Sequence, residues 1–165
     1  MINTFEVEMK KLIRTWLKED VGSGDHSSIA VIPVSKKASA EFLMKEDGVI
    51  AGLSWAKEII LFCDQNATVT FFYVDGDFVP KDTAIGRIDA SARAILKAER
   101  LMLNCMQRMS GIATQTKKLV DLIAHTPAQL LDTRKTTPGI RVLEKEAVRL
   151  GGGRNHRFGL YDMIM

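Results

Sequence analysis

Positively charged side chains are concentrated between Arg134 and Arg157. This segment holds seven basic residues against two acids, Glu144 and Glu146, so its formal charge is +5, whereas the whole chain of 165 residues carries +3. Proline and glycine residues interrupt the segment and predict turns rather than one long solvated helix. Cations gathered on turns suit a pocket for an anion, and the alternative is a chance cluster of surface charges.

Two pairs of residues in this segment have the chemistry to hold a carboxylate or phosphate. Arg134 offers a planar guanidinium fork, and Lys135 adds a mobile point charge beside it. His156 and Arg157 follow three consecutive glycines, which allow close approach of the backbone or positive φ angles. Several cations in one place suit a substrate with several negative groups.

The first two-thirds of the chain predict helices combined with short strands. Apolar periodicity predicts helices over 4–19, from Ser54 to about Cys63, and from Ser91 onward, with Ser110-Gly111 ending the last one before a further helix to about His125. Short strands are predicted at 38–44, 69–74 and 83–88, with a turn at 75–77. This pattern indicates a compact, mostly antiparallel sheet.

The last third predicts a different architecture. A short apolar run at 129–132 is followed by a helix over 140–150 and by another apolar run that begins at Leu160. Strand, helix, strand is the start of a βαβ unit, and ligands of such folds bind at the carboxyl ends of the strands. Asp132 to Thr136 would lie at that edge. The fold class is therefore predicted as α/β.

Composition excludes several classes of protein. No segment approaches the roughly 18 apolar residues that span a bilayer, and the acid-containing N-terminus is not a secretory signal. Aromatic residues make up 7% of the chain and do not interleave with the basic cluster, so a nucleic-acid partner is not expected. Cys63 and Cys105 stand singly and predict buried free thiols of a cytoplasmic protein.

The basic segment resembles a known signature. DTRKTTPGIRVLEKEAVRLGGGRNHRFGLYDM, from Asp132 to Met163, is similar to the signature of quinolinate phosphoribosyltransferases. Three further stretches agree with that family in the same order: Glu19-Asp20 with Gly24-Asp25, Asp47 to Gly52, and Glu99 to Thr114.

This resemblance implies an N-terminal α/β sandwich domain over 1–112, followed over 113–165 by a linking helix and the first units of an incomplete α/β barrel. It implies transfer of phosphoribose from phosphoribosyl pyrophosphate to quinolinate, with loss of CO2 and pyrophosphate, to give nicotinate mononucleotide for NAD biosynthesis. Mg2+ would accompany the pyrophosphate, with no ligand from this chain. A homodimer or higher homo-oligomer would share its active sites between subunits.

The resemblance also implies roles for six residues. Arg134 and Lys135 would bind the quinolinate carboxylates with Thr133 beside them, and His156 and Arg157 would line the same pocket. Lys135 and Arg157 would be catalytic. Arg100 would reach the pocket from the partner subunit.

Members of the family are longer than this chain, and two other classes of protein are alternatives. The family continues after Asp162-Met163 with a further lysine, acidic residues and phosphate-binding loops, so this chain is expected to be a truncated form that is inactive alone. A paralogous transferase of the molybdenum-transport-associated type is one alternative. The other is a carrier module of the barrel–sandwich type, for which Lys81 is the nearest attachment site, although it lacks the usual hairpin setting.

Overall fold

The computed structural model describes residues 4–164, and it confirms an α/β fold. Its elements, in chain order, are the helices and strands α1 (Thr4–Val21), α2 (His26–Val31), β1 (Lys37–Leu43), β2 (Gly48–Val49), α3 (Leu53–Cys63), β3 (Thr68–Phe71), β4 (Phe78–Val79), β5 (Ala84–Ser91), α4 (Ala92–Ile123) and α5 (Arg141–Leu150). Among these described elements, no helix is both long and apolar enough to cross a membrane.

The chain forms two compact units. The first comprises 1–43, 54–72 and 84–104, and the second comprises 44–53, 73–83 and 105–165. Helix α4 contributes residues to both units. The domain boundary predicted after residue 112 stays a prediction.

The first unit contains a three-stranded sheet in the order β1-β5-β3, and its pairs are antiparallel, as the sequence predicted. In this register Phe42 and Phe71 both lie opposite Gly86, and their rings contact each other with centroids 5.9 Å apart. A Cβ on Gly86 would lie 2.6 Å from the Phe71 ring, so only glycine leaves room for this pair. Trp16 of α1 contacts Trp55 of α3 with ring centroids 5.7 Å apart.

The second unit combines the two-stranded sheet β2-β4 with the second part of α4 and with α5. Ser110 and Thr114 of α4 hold the β2 segment. Ser110 Oγ accepts from Ala51 N at 3.0 Å and donates to Ala51 O, while Thr114 Oγ1 accepts from Val49 N at 2.9 Å. The buried core of this unit includes Val49, Ile50, Val79, Met109, Ala113, Leu143 and Ala147.

Three local predictions were wrong. Helix α4 runs unbroken through Ser110-Gly111, because Ser110 is engaged in the contacts to Ala51 and the buried stripe continues at Ala113. Helix α3 begins at Leu53, whose N–H donates to Asp75 Oδ1, rather than after a Ser54 cap. The apolar run from Leu160 forms turns with exposed side chains as far as Ile164, not a strand.

Candidate functional site

The two basic stretches lie side by side because of one parallel bridge. Leu131 pairs with Arg154, with hydrogen bonds from Asp132 N to Arg154 O (3.1 Å) and from Arg154 N to Leu130 O (2.9 Å). In a parallel pair, the residues that follow each partner emerge at the same edge. The segment 132–136, here called the first loop, and the segment 155–157, the second loop, therefore share one edge, and α5 connects them.

Asp132 joins the two loops. Its Oδ1 accepts from His156 N at 2.7 Å and from Lys145 Nζ at 2.6 Å, and its Oδ2 accepts from Asn155 Nδ2 at 2.7 Å. Asn155 Nδ2 also donates to Lys145 O at 2.8 Å. The carboxylate is thus surrounded by three donors and is neutralised by an ammonium group at close range.

Lys145 is a fully buried lysine on α5, with 1% of the residue exposed. Besides Asp132, its Nζ donates to His156 O at 3.0 Å and lies 5.0 Å from the centre of the Phe158 ring. A buried ammonium group is tolerated only with such a complete set of partners.

A second ion pair lies at the start of α5. Arg108 of α4 donates from Nε at 3.1 Å and from Nη2 at 2.5 Å to Glu144 Oε1, and also from Nη2 to Thr137 Oγ1 at 3.0 Å. Thr137 N donates to Glu144 Oε2 at 3.1 Å. Burial opposes ionisation of Glu144, but the hydrogen bonds from Arg108 and Thr137 outweigh it and lower its pKa.

Arg141 fastens the first loop to the segment beyond the second. Its Nε donates to Thr136 Oγ1 and its Nη1 to Phe158 O, each at 2.9 Å. It contributes to the structure of this edge, and its guanidinium is largely occupied by these contacts.

A pocket of about 250 Å3 opens at this edge. Both of its acids are paired, Asp132 with Lys145 and Glu144 with Arg108. Lys135 is exposed, and no acid of the described residues forms an ion pair with it. The pocket therefore keeps a net positive charge at Lys135. Its lining residues are Arg108, Ile112, Asp132, Thr133, Lys135, Thr136, Glu144, Lys145 and Val148.

The structure brings five of the six predicted site residues to the two loops. Thr133 and Lys135 line the pocket, and Thr133 Oγ1 accepts from Lys135 N at 3.0 Å. Arg134 is half-buried, and its Nε is buried with no hydrogen-bond partner among the described residues. Such an unsatisfied donor gains from an added acceptor.

The other three predicted residues are His156, Arg157 and Arg100. His156 Nδ1 accepts from Arg157 N at 2.8 Å, so the proton of the neutral ring is on Nε2. Arg157 Nη1 donates to Met163 O at 3.2 Å. Neither residue lines the pocket. Arg100 is an exposed residue of α4 within the first compact unit.

Sequence reasoning missed the residues that organise this edge. The helical spacing places Arg108 off the buried stripe of α4, and Lys145 is one of the seven basic residues of the charged segment, so neither has a local signal of its role. The partners of these two residues lie 36 and 13 positions away in the chain, at Glu144 and Asp132. Only Asp132, at the end of a predicted strand, carried a recognisable signal.

The resemblance implies Mg2+ at the complete site, with no ligand from this chain. Among the described residues, no group of three or more His, Cys, Asp or Glu side chains could hold a metal ion. Mg2+ is commonly bound through one or two carboxylates together with substrate phosphates, so its arrival with the pyrophosphate stays a prediction.

Comparison with known proteins identifies two family models along the chain. Residues 25–110 match the model described as "Quinolinate phosphoribosyl transferase, N-terminal domain", and residues 112–165 match the corresponding C-terminal domain. Together they cover most of the chain. These matches favour the transferase over the carrier-module alternative.

Individual relatives point to the same family. The chain is 51% identical over 159 residues to "Nicotinate-nucleotide pyrophosphorylase [carboxylating], chloroplastic" from Oryza sativa subsp. japonica, covering 96% of this chain and 42% of the relative. It is 43% identical to the probable enzyme of that name from Bacillus subtilis (strain 168), covering 96% and 55%. The crystal structure of NadC from Streptococcus pyogenes superposes with a TM-score of 0.91 at 37% identity, covering 96% and 57%. The chain thus spans about half the length of the relatives it matches.

Proposed function

The chain belongs to the quinolinate phosphoribosyltransferase family, and from this premise we propose that it supplies the quinolinate-binding half of an enzyme that makes nicotinate mononucleotide. In that reaction the bond between the sugar and pyrophosphate breaks, a bond forms from the sugar to the ring nitrogen of quinolinate, and CO2 leaves. The observation that carries the proposal is the positive edge, where both acids are paired internally and Lys135 is not.

Quinolinate is a dianion, and the two loops offer complementary groups for it. Arg134 has a buried Nε without a partner among the described residues, which an acceptor would satisfy. His156 can donate from Nε2, because its Nδ1 accepts from Arg157 N. Lys135 on the first loop and Arg157 on the second would each bind one of the two carboxylates.

The same cations have a part in the chemistry. Both substrates are anions, and Lys135 and Arg157 would offset their repulsion and keep the ring nitrogen near the sugar. They would also stabilise the charge that shifts as the new bond forms and CO2 departs. Mg2+ would arrive with the pyrophosphate.

Assembly and location are part of the proposal. We propose a homo-oligomer in which Arg100 of one subunit completes the site of another, since Arg100 is exposed and lies outside the unit that holds the pocket. The two described cysteines are free, which agrees with a reducing compartment such as the cytoplasm.

The test measures binding and turnover in the native full-length protein. Lys135→Ala should weaken quinolinate binding in calorimetry by roughly tenfold or more, because it removes a charge-assisted contact of about 1.5–3 kcal/mol. Lys118→Ala, which removes an exposed lysine of α4 in the same unit, is the matched control and should leave the affinity unchanged.

Two results would contradict the proposal. One is a wild-type protein that neither binds quinolinate nor forms nicotinate mononucleotide from it with phosphoribosyl pyrophosphate. The other is a Lys135→Ala protein whose affinity equals that of Lys118→Ala. A paralogous transferase acting on another substrate would give the first result.

A further inference from the structure

Lys145 has a buried charge that is not available to a ligand. Its side chain is completely inaccessible to solvent, and its ammonium group is engaged by Asp132 Oδ1, by His156 O and by the face of the Phe158 ring. An ammonium group has three donor hydrogens, so these contacts leave it little capacity for a substrate. Although Lys145 borders the pocket, it does not act by direct contact.

Stability alone does not account for this pair. Removing a lysine and an aspartate from water costs several kcal/mol each, and a well-packed apolar replacement is often as stable. The better-supported use of a buried ion pair is to select one arrangement of the groups around it. The arrangement selected here can be identified from its partners.

Those partners belong to both loops. Asp132 begins the first loop, immediately before Thr133 and Arg134, while the N–H and C=O of His156 belong to the second loop. Asn155 adds two more links, to Asp132 Oδ2 and to Lys145 O. Lys145 stands on the helix that connects the loops, so one ammonium group holds them at one separation.

We propose that Lys145 is a positioning residue: by holding Asp132 and His156 together, it sets the distance between Arg134-Lys135 and His156-Arg157 and thereby selects a ligand with two carboxylates. The inference rests on the proposed function and adds a determinant of specificity to it. Cations at a fixed separation favour a dianion that spans them, whereas a monocarboxylate needs only one of the two loops.

The test compares quinolinate with nicotinate, which lacks the second carboxylate, in the native full-length protein. Lys145→Met keeps the length and packing of the side chain but removes the ammonium group. The dissociation constant for quinolinate should rise roughly 10- to 100-fold, because displacement of one loop removes the charge-assisted contact to one of the two carboxylates. The dissociation constant for nicotinate should change much less, so the preference for quinolinate falls by about tenfold or more.

Calorimetry separates positioning from a general loss of structure. A protein that merely unfolds in part loses binding sites, which lowers the stoichiometry and leaves the ratio of the two dissociation constants unchanged. A displaced loop keeps the stoichiometry and changes the ratio. Arg149→Met on the same helix removes a charge whose pair with Glu146 is exposed, and it should change neither quantity.

A second variant decides the matter if Lys145→Met fails to fold. Asn155→Ala removes one hydrogen bond between the loops, to Asp132 Oδ2, and one from the second loop to Lys145 O of α5, without leaving a buried charge unpaired. It should lower the preference for quinolinate in the same direction, by roughly tenfold.

The inference and the proposed function fail in different ways. An unchanged preference in the folded Lys145→Met or Asn155→Ala protein, while the wild type binds quinolinate, overturns the inference alone. A wild type that does not bind quinolinate overturns the proposed function and the inference with it.

Discussion

Glu144 provides the sharpest test of how this site is held together. The substitution Glu144→Gln keeps the shape of the side chain and removes its charge. It replaces one acceptor oxygen by an NH2 group, which then faces a donor of either Arg108 or Thr137. Glu144 also lies in the first turn of α5, where a negative charge is stabilised by the helix dipole.

The magnitude follows from these contacts. A hydrogen bond to a charged group contributes about 1.5–3 kcal/mol, but the Arg108 side chain is 52% exposed and can regain water. We therefore expect a loss of about 2 kcal/mol in the stability of the α5 region at neutral pH. Since 1.4 kcal/mol corresponds to a factor of ten, the exchange of α5 amide hydrogens should accelerate by roughly 30-fold.

The pH dependence has a definite sign. The pKa of Glu144 is lowered from its ordinary value of 4.5 in the folded protein, so the folded state favours the ionised form. Its contribution to stability is complete above about pH 4.5 and is lost as the pH falls through the lower, folded pKa. The difference in α5 stability between the wild type and Glu144→Gln should therefore be largest at pH 7 and should disappear at acid pH.

The assay must report on α5 itself. Both tryptophans, Trp16 and Trp55, lie in the first compact unit, so tryptophan fluorescence would follow a different part of the chain from α5. Hydrogen exchange resolved at α5 from pH 7 down to about pH 3 is suitable, because this range extends below the ordinary pKa of 4.5. Glu146→Gln on the same helix, whose partner Arg149 is exposed, should cost less than about 0.5 kcal/mol. A Glu144→Gln protein that matches this control, or a difference that grows toward acid pH, would refute the reasoning.

Two further predictions concern glycines of the second unit and the assembly. Gly151→Ala should destabilise the protein by about 1–3 kcal/mol in urea unfolding, since its Cβ would lie 2.7 Å from Thr116 Cβ. Gly111→Ala has open space around it inside α4 and should stabilise the protein by roughly 0.5–1 kcal/mol. Equal changes in stability for the two variants would contradict the close packing at Gly151. Mixing inactive Arg100→Ala and Lys135→Ala subunits of the full-length protein should restore about a quarter of wild-type activity in a random dimer, and no recovery would count against sites shared between subunits.

Sequence periodicity was sufficient for the elements that are held by local patterns. The spacing of Ile95, Ala98, Met102, Cys105, Met109 and Ile112 predicts one buried face of α4. The first five are buried, and Ile112 at the end of the stripe is half-buried. The helix predicted over 140–150 is α5, and it ends at Gly151 as expected. These features depend on residues three or four positions apart, which a sequence displays directly.

Tertiary contacts overruled local signals elsewhere. Ser110-Gly111 is a plausible helix end by composition, but bonds to Ala51, 59 positions away, and continued burial at Ala113 keep α4 intact. Helical spacing places Phe62 on one face of α3 with Trp55 and Ile59, but Phe62 is 39% exposed whereas Trp55 and Ile59 are buried.

The basic segment shows both what the sequence determines and what only the tertiary structure decides. Its composition alone determined that excess positive charge is local. The strand predicted from Leu160 would have put His156 and Arg157 before a strand, whereas the bridge between Leu131 and Arg154 puts them after one, at the same edge as Arg134 and Lys135. The sequence could not distinguish cations that bind a ligand from cations that hold the fold. Lys145 and Arg141 are engaged inside the protein, whereas Lys135 is left exposed at the pocket. That distinction depends on partners distant in the chain, because ion pairing is decided by distances in space and by burial, and only the tertiary structure sets those.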